Sequence, residues 1–157
     1  MRCNIIEHGS YFDGSTSNSV ELQTGAGFVI AKVDHSITFA IKSTSDDGII
    51  FVGDSSEINV VEASVLSGKL LWQLEGQDDL LSTVFVNDNE WHHISLVFKQ
   101  STSYYYMYID GVEDNKIKVP LDDKVLSSIV FSPDSEGHWK PPPHIGALAL
   151  NLVSSIC

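Results

Sequence analysis

Six histidines, two cysteines and 21 acidic residues are the groups in this chain best suited to bind metal or move protons. Their spacing limits what they can do. His92 and His93 are adjacent. On a strand, neighbouring side chains point to opposite faces, so this pair cannot chelate one ion. His8, His35, His138 and His144 show no chelating spacing, and Cys3 and Cys157 stand at opposite ends of the chain. Zinc ligation is therefore not expected. Asp46-Asp47, Asp78-Asp79 and Asp122-Asp123 read as solvated turn pairs. None has the Asp-X-Asp-X-Asp-Gly spacing of a calcium loop. Asn87-Asp88-Asn89 resembles the calcium linkers of cadherins, but Trp91-His92 follows directly and a turn explains it better. A glycosidase would need two carboxylates about 5–9.5 Å apart. Glu57, Glu62 and Glu75 are isolated along the sequence, and no strand carries the alternating Glu-X-Asp-X-X-Glu pattern. There is no Gly-X-Ser-X-Gly elbow and no phosphate-cradling glycine loop before a helix. The chain is expected not to be an enzyme. Tyr104-Tyr105-Tyr106 suits either stacking on sugar rings or the two faces of a strand.

The elements that would position these groups repeat with period two, and long 3.6-period segments are missing. The pattern predicts strands at Ser19–Gln23, Phe28–Ala31, Ser36–Ser43, Gly48–Val52, Glu57–Leu66, Leu70–Leu74, Ser82–Val86, Trp91–Lys99, Ser103–Ile109, Leu126–Phe131 and His144–Asn151. Turn signals such as Asp46-Asp47-Gly48, Ser67-Gly68, Asn87-Asp88-Asn89 and Asp110-Gly111 separate them. Many short strands with regular turns indicate an all-β sandwich or barrel. Ile37, Phe39 and Ile41 share one face, against Ser36, Thr38 and Lys42. His92, Ile94, Leu96 and Phe98 oppose Trp91, Ser95, Val97 and Lys99. Tyr105, Met107 and Ile109 oppose Tyr104, Tyr106 and Tyr108. Apolar groups on both faces of a strand predict a central strand covered on both sides. Residues 132–143 hold Pro133, Gly137, Trp139 and Pro141-Pro142-Pro143, which fits a loop or an edge. Trp139, between His138 and Lys140, is either a contact residue or a lid on one end of the sandwich.

At 157 residues and a formal charge of −12, the chain fits one domain, with few cations for phosphate. No nucleic-acid partner is expected, and heparin-like glycans are disfavoured on the same ground. No apolar run approaches the ~20 residues of a membrane span, so no membrane insertion is expected. Met1-Arg2-Cys3-Asn4 leads into no signal-peptide core. The chain therefore reads as a cytosolic protein or as a piece of a longer secreted one. Its abrupt start and its end on Cys157 favour the second. Domain termini often lie close together, so Cys3 and Cys157 are candidates for a disulfide in an oxidising compartment. Such a bond would contribute about 4–5 kcal/mol in the chain-entropy model. Two unrelated thiols, or pairing outside this chain, are the alternatives.

The order of motifs resembles laminin G-like domains. Tyr11-Phe12-Asp13-Gly14 with Ser19–Leu22 looks like their opening strand pair. Ile37–Ser43 with Asp47-Gly48-Ile49-Ile50-Phe51 is similar to the next hairpin, and Ser67-Gly68-Lys69-Leu70 to the turn that follows. Val86–Ile94 resembles the turn into a Trp-His strand, Tyr108-Ile109-Asp110-Gly111 its partner, and Ile145-Gly146 the late glycine strand. The resemblance covers about residues 11–150. Pentraxin and thrombospondin N-terminal domains belong to the same wider group.

This resemblance implies a concanavalin A-like, antiparallel jelly-roll β-sandwich of two sheets. It also implies an extracellular, non-catalytic module of a larger cell-surface or matrix protein that binds protein or glycan through rim loops. A calcium ion often assists such loops. Carried over by position, its ligands would be Asn59, with Asp54 and Glu57 near enough to substitute if the loop bends back, and Asp134. Asn59 stands where the family has a carboxylate, and the usual C-terminal cysteine pair is missing. The candidate contact residues are Trp139 and His138. A carbohydrate-binding lectin domain, appended to an enzyme or free, is the alternative function.

Overall fold

The computed structural model describes residues 10–12, 20–55, 58–121, 124–131 and 145–153. Twelve strands make up most of them: β1 Ser10–Phe12, β2 Val20–Ile30, β3 His35–Ser43, β4 Gly48–Ser55, β5 Ile58–Leu66, β6 Lys69–Leu74, β7 Leu80–Phe85, β8 His92–Lys99, β9 Tyr104–Ile109, β10 Val112–Lys118, β11 Lys124–Phe131 and β12 Ile145–Val153. One six-stranded sheet runs β1-β12-β3-β8-β9-β10 and the other β2-β11-β4-β5-β6-β7. Every pairing is antiparallel. This is the expected jelly-roll sandwich. Among the described residues no helix is long and apolar enough to cross a membrane.

Alternation builds the core. Strand β3 reads buried and half-buried in strict turn from His35 to Ser43, so Ile37, Phe39 and Ile41 all face inward. Ile94, Leu96 and Phe98 of β8 and Tyr105, Met107 and Ile109 of β9 do the same. The second sheet answers with Phe51, Val61, Ala63, Val65, Leu70, Trp72 and Leu126. A side chain beyond a hydrogen atom has no room at Gly53. A Cβ there would sit 2.6 Å from Val61 Cγ2 and 3.1 Å from both Leu126 methyls.

Three elements differ from the sequence reading. Two strands were expected at Ser19–Gln23 and Phe28–Ala31, with Gly25 and Gly27 between them, yet β2 is continuous. A register shift between Leu126 and Ser128 of β11 absorbs the glycines: Leu126 pairs with Phe28 and Ser128 with Gln23. Strand β10 was not predicted, because Val-Glu-Asp-Asn-Lys-Ile-Lys carries few apolar groups and a bulge at Asp114 breaks their alternation. Its hairpin places it: Asp110 and Gly111 both have positive φ, 53° and 82°, the geometry of a two-residue type I′ turn. Strand β9 is not covered on both sides. Tyr104, Tyr106 and Tyr108 face outward and are half-exposed.

Where the two sheet edges meet, β10 is fastened to β7 by side chains. Asp114 accepts hydrogen bonds from the Thr83 amide at 2.7 Å and the Thr83 hydroxyl at 2.5 Å. The Asn115 amide donates to the Leu81 carbonyl at 2.8 Å. These bonds occupy edge groups that would otherwise be open to another strand.

Gly53→Ala should destabilise the fold by about 1–3 kcal/mol through overpacking. Urea unfolding measures it, and an unchanged midpoint would contradict the close packing of β4 on β5 and β11.

Candidate functional site

The strands alternate in direction, so the turns collect at two rims. The upper rim holds the β3–β4, β5–β6, β7–β8 and β9–β10 connections. Hydrogen bonds tie three of these together. The Gly68 amide donates to the Asp46 carbonyl at 2.7 Å, and the Val86 amide to the Gly68 carbonyl at 2.8 Å. The Ser67 amide donates to Asp47 Oδ1 at 2.9 Å, and Asn87 Nδ2 to Asp46 Oδ1 at 2.8 Å. Glycine is required at residue 68 on two counts. Its φ is +77°, and a Cβ would sit 2.7 Å from Asn87 Nδ2.

His92 fastens the remaining turn. Its Nε2 lies 2.9 Å from Asp88 Oδ1 and its Nδ1 2.8 Å from Asp110 Oδ2. Ionised carboxylates only accept, so both contacts are hydrogen bonds at once when the ring carries a proton on each nitrogen. Asp88 Oδ1 also accepts from the Glu90 amide at 2.9 Å, and Asp110 Oδ1 from the His93 amide at 2.8 Å. Partial burial works against the charge on His92, but the hydrogen bonds to Asp110 and Asp88 outweigh it and raise its pKa above the ordinary value. Asp88 is lowered, first by the Glu90 amide and then by His92. For Asp110 burial pushes upward, and the bonds to His92 and His93 reverse it to a net lowering.

The same rim presents apolar side chains to water. Phe85 is 60% exposed, Trp91 49% and Val112 68%, with Leu66 and Val84 also exposed. The bonds from Asp114 to Thr83 bring the end of β7 beside the start of β10. Around these residues stand the exposed Asp46, Asp47, Asp88, Glu90, Asp110 and Glu113. Lys69 Nζ lies over the Phe85 ring, 5.4 Å from its centroid. Sequence reading assigned Trp91 to the strand. It instead precedes β8 and projects from the rim, because Asn89, with φ of 67°, turns the chain first. The signal that could have found it was the turn run Asn87-Asp88-Asn89, which ends one residue, Glu90, short of the tryptophan.

At the lower rim, Val60, Val61, Glu62, Gln73, Leu74, Glu75, Gly76, Gln77 and Asp79 line a cavity of about 280 Å³. Glu62 from β5 and Glu75 from the β6–β7 turn, isolated in sequence, are thus brought to one pocket with Asp79 of the same turn. Gln73 Nε2 donates to Asp79 Oδ1 at 2.7 Å. Burial raises the pKa of Glu62, a Ser64 hydrogen bond opposes the shift, and the Asp79 charge adds to it.

Two of the expected calcium ligands lie where β4 runs into β5. Asp54 and Asn59 stand opposite each other across the β4–β5 ladder, and Asp54 Oδ1 is buried. Calcium takes six to eight oxygens. Among the described residues no group of three or more His, Cys, Asp or Glu side chains could hold a metal. Glu57, Asp134, His138, Trp139, Cys3 and Cys157 lie outside the described residues.

No family model matches the chain, and no curated protein matches it in sequence. Solved structures match it in fold. Domains LG4-5 of the mouse laminin alpha1 chain align with a TM-score of 0.69 and 16% identity, over 92% of this chain and 42% of that one. A native heptameric SAP-like pentraxin from Limulus polyphemus gives 0.68 and 16%, over 90% and 73%. The binding domain of botulinum neurotoxin serotype D gives 0.64 and 16%, over 88% and 36%. The chain spans less than half the length of the laminin and toxin structures. The resemblance read from the sequence therefore holds at the level of the fold, the concanavalin A-like jelly roll.

Two pH effects follow from the shifted groups. With His92 raised, its clamp stabilises fully below about pH 6.5, the unfolded value, and fades as pH rises through the folded one. With Asp88 and Asp110 lowered, their share is present above about pH 4 and fades as pH falls through their folded values. His92→Gln should therefore lower Tm by about 2–4 °C near pH 5–6 and by less at pH 9. A deficit constant across that range would contradict the charged clamp. Glu62 has the opposite sense, since a raised carboxyl costs stability once it ionises. Glu62→Gln should raise Tm at pH 7 and leave it nearly unchanged at pH 4, and a loss at both values would contradict the burial cost.

Proposed function

We propose that this chain is a non-catalytic binding module, a laminin G-like domain of a larger cell-surface or matrix protein, and that it holds a protein partner by its upper rim. The observation that carries the reading is the exposure of Phe85, Trp91 and Val112 on and beside turns fixed by hydrogen bonds. Large aromatic side chains that need no reordering are efficient anchors. The surrounding charges are acidic, so the complementary partner surface is basic with an apolar centre. The shared fold with a toxin binding domain supports this reading. So does the sandwich itself, which preorganises loops at its ends. The rim reading needs no calcium.

The lower-rim pocket favours a second reading, recognition of a neutral glycan. Glu62, Gln73, Gln77 and Asp79 supply both donors and acceptors to sugar hydroxyls. A glycan array would identify a ligand, and Gln73→Ala should remove its binding. Incubation followed by reducing-end analysis separates binding from hydrolysis.

The rim is tested with a tetramerised form of the domain applied to intact cells. Trp91→Ala with Phe85→Ala should weaken binding at least tenfold while Tm stays unchanged. Binding should also weaken when salt rises, because the attraction is partly electrostatic. Cell binding that ignores both substitutions would overturn the rim as the contact surface.

A further inference from the structure

At the lower rim the turn from Ala31 to Asp34 carries the chain from one sheet to the other, since β2 and β3 belong to different sheets. The turn is held in a costly shape. Ala31 is fully buried with φ of 60°, the left-handed region that disfavours any residue with a Cβ. Alanine has no side-chain hydrogen bond to offset that cost, so neighbouring groups must hold the turn shut. The Ala31 amide donates to the Tyr105 hydroxyl. That hydroxyl donates to His35 Nε2 at 2.6 Å, and His35 Nδ1 donates to the Val33 carbonyl at 2.8 Å. Beside this chain of bonds, Asp34 Oδ1 accepts from the Gln100 amide at 2.7 Å and ties the turn to the β8–β9 connection. His35 itself is 2% exposed, stacked on Phe98 at 5.4 Å and edge-on to Tyr105 at 5.4 Å. The charged and titratable groups around it are few. Its own turn supplies Lys32 and Asp34, both exposed, and β9 supplies Tyr105. Strand β8 places apolar Phe98 opposite His35, with the exposed Lys99 next to it.

We propose that His35 is an acid-sensitive latch: when its ring takes up a proton it leaves Tyr105 and Val33, the strained Ala31 turn opens, and the crossing between the sheets loosens while the rest of the sandwich stays folded. Both ring nitrogens are already committed to neutral groups. A proton on Nε2 would face the Tyr105 hydroxyl and drive that group's own hydrogen off its acceptor, inside the core. Burial opposes the charge more strongly than Asp34 favours it. The ring is therefore protonated by swinging into water, where its proton affinity is ordinary. The open form gains population in proportion. With a value of about 6.5 in the open form, opening should rise about tenfold at pH 5.5 and about a hundredfold at pH 4.5, relative to pH 8. The upper rim has the opposite sense, because His92 sits between Asp88 and Asp110 and is held more firmly as pH falls. Acid thus loosens one end of the sandwich and not the other. The latch uses none of the rim or pocket residues, so it stands or falls apart from the binding readings.

Amide hydrogen exchange of the full chain between pH 4.5 and 8, corrected for the intrinsic rate at each pH, reads the opening. The Ala31 and Gln100 amides report on the latch. The Val86 amide, bonded to the Gly68 carbonyl at the upper rim, reports on the sandwich elsewhere. Opening at Ala31 and Gln100 should begin to rise near pH 6.5 and increase about tenfold per unit below it, with no such rise at Val86. His35→Gln keeps a donor and an acceptor but cannot titrate, and should remove the pH dependence. Ala31→Gly accepts the positive φ, and should reduce opening at every pH while leaving the slope in place. If His35→Gln fails to fold, the unmodified chain and Ala31→Gly decide the matter between them. Four results would overturn the proposal. They are exchange independent of pH, an equal rise at Val86, an unchanged slope in His35→Gln, or an onset only near pH 4.5, which would mark a carboxylate such as Asp34 as the titrating group.

Discussion

Two aromatic contacts between the sheets hold the sandwich together. Phe39 of one sheet meets Phe51 of the other edge-on, 5.6 Å between centroids, and Tyr105 meets Trp72 at 5.7 Å. Phe98 and His35 extend the cluster within the first sheet, the His35 ring stacking on Phe98 at 5.4 Å. Phe39, Phe98 and Tyr105 reach the interior because their strands keep strict alternation. A slip of one residue would send the whole inner row to solvent. The aromatic cluster therefore fixes register, and register fixes which side chains remain outside for recognition.

Burial forces two polar groups in this cluster to satisfy each other. The Val33 carbonyl can only accept, so His35 Nδ1, 2.8 Å away, carries the proton. Nε2 is then bare and accepts from the Tyr105 hydroxyl at 2.6 Å. Burial lowers the pKa of His35, outweighing the Val33 carbonyl and the Asp34 charge that favour protonation. Burial also raises the pKa of Tyr105, with the Ala31 amide partly opposing it. The pair stays neutral. His92 meets the reverse situation at the rim, with carboxylates on both sides and water nearby. The same residue type locks the interior in one place and charges a loop junction in the other.

Much of this was legible from the chain. The inward rows Ile37-Phe39-Ile41, Ile94-Leu96-Phe98 and Tyr105-Met107-Ile109 follow from period two alone, and all three are buried. The Ser67-Gly68 and Asp110-Gly111 turns follow from their residue types. What escaped was set by tertiary placement. β10 exists because a hairpin turn and bonds from Asp114 and Asn115 hold a poorly apolar segment at the sheet edge. Glu62 lies 13 residues before Glu75 in sequence and shares a pocket with Glu75 and Asp79 of the β6–β7 turn because β5 and β6 are neighbours. Trp91 was read as sheet because a strand does begin beside it, but one residue later.

The division between a neutral interior and a charged, hydrogen-bonded rim is the centre of this account. Its most direct test is a pH titration of the imidazole nitrogens by nitrogen-15 nuclear magnetic resonance. His35 should remain a neutral Nδ1–H tautomer well below pH 6.5, while His92 should carry both protons at pH 6.5 and lose one only above it. Titration of both rings together near the value of a free imidazole would contradict the account.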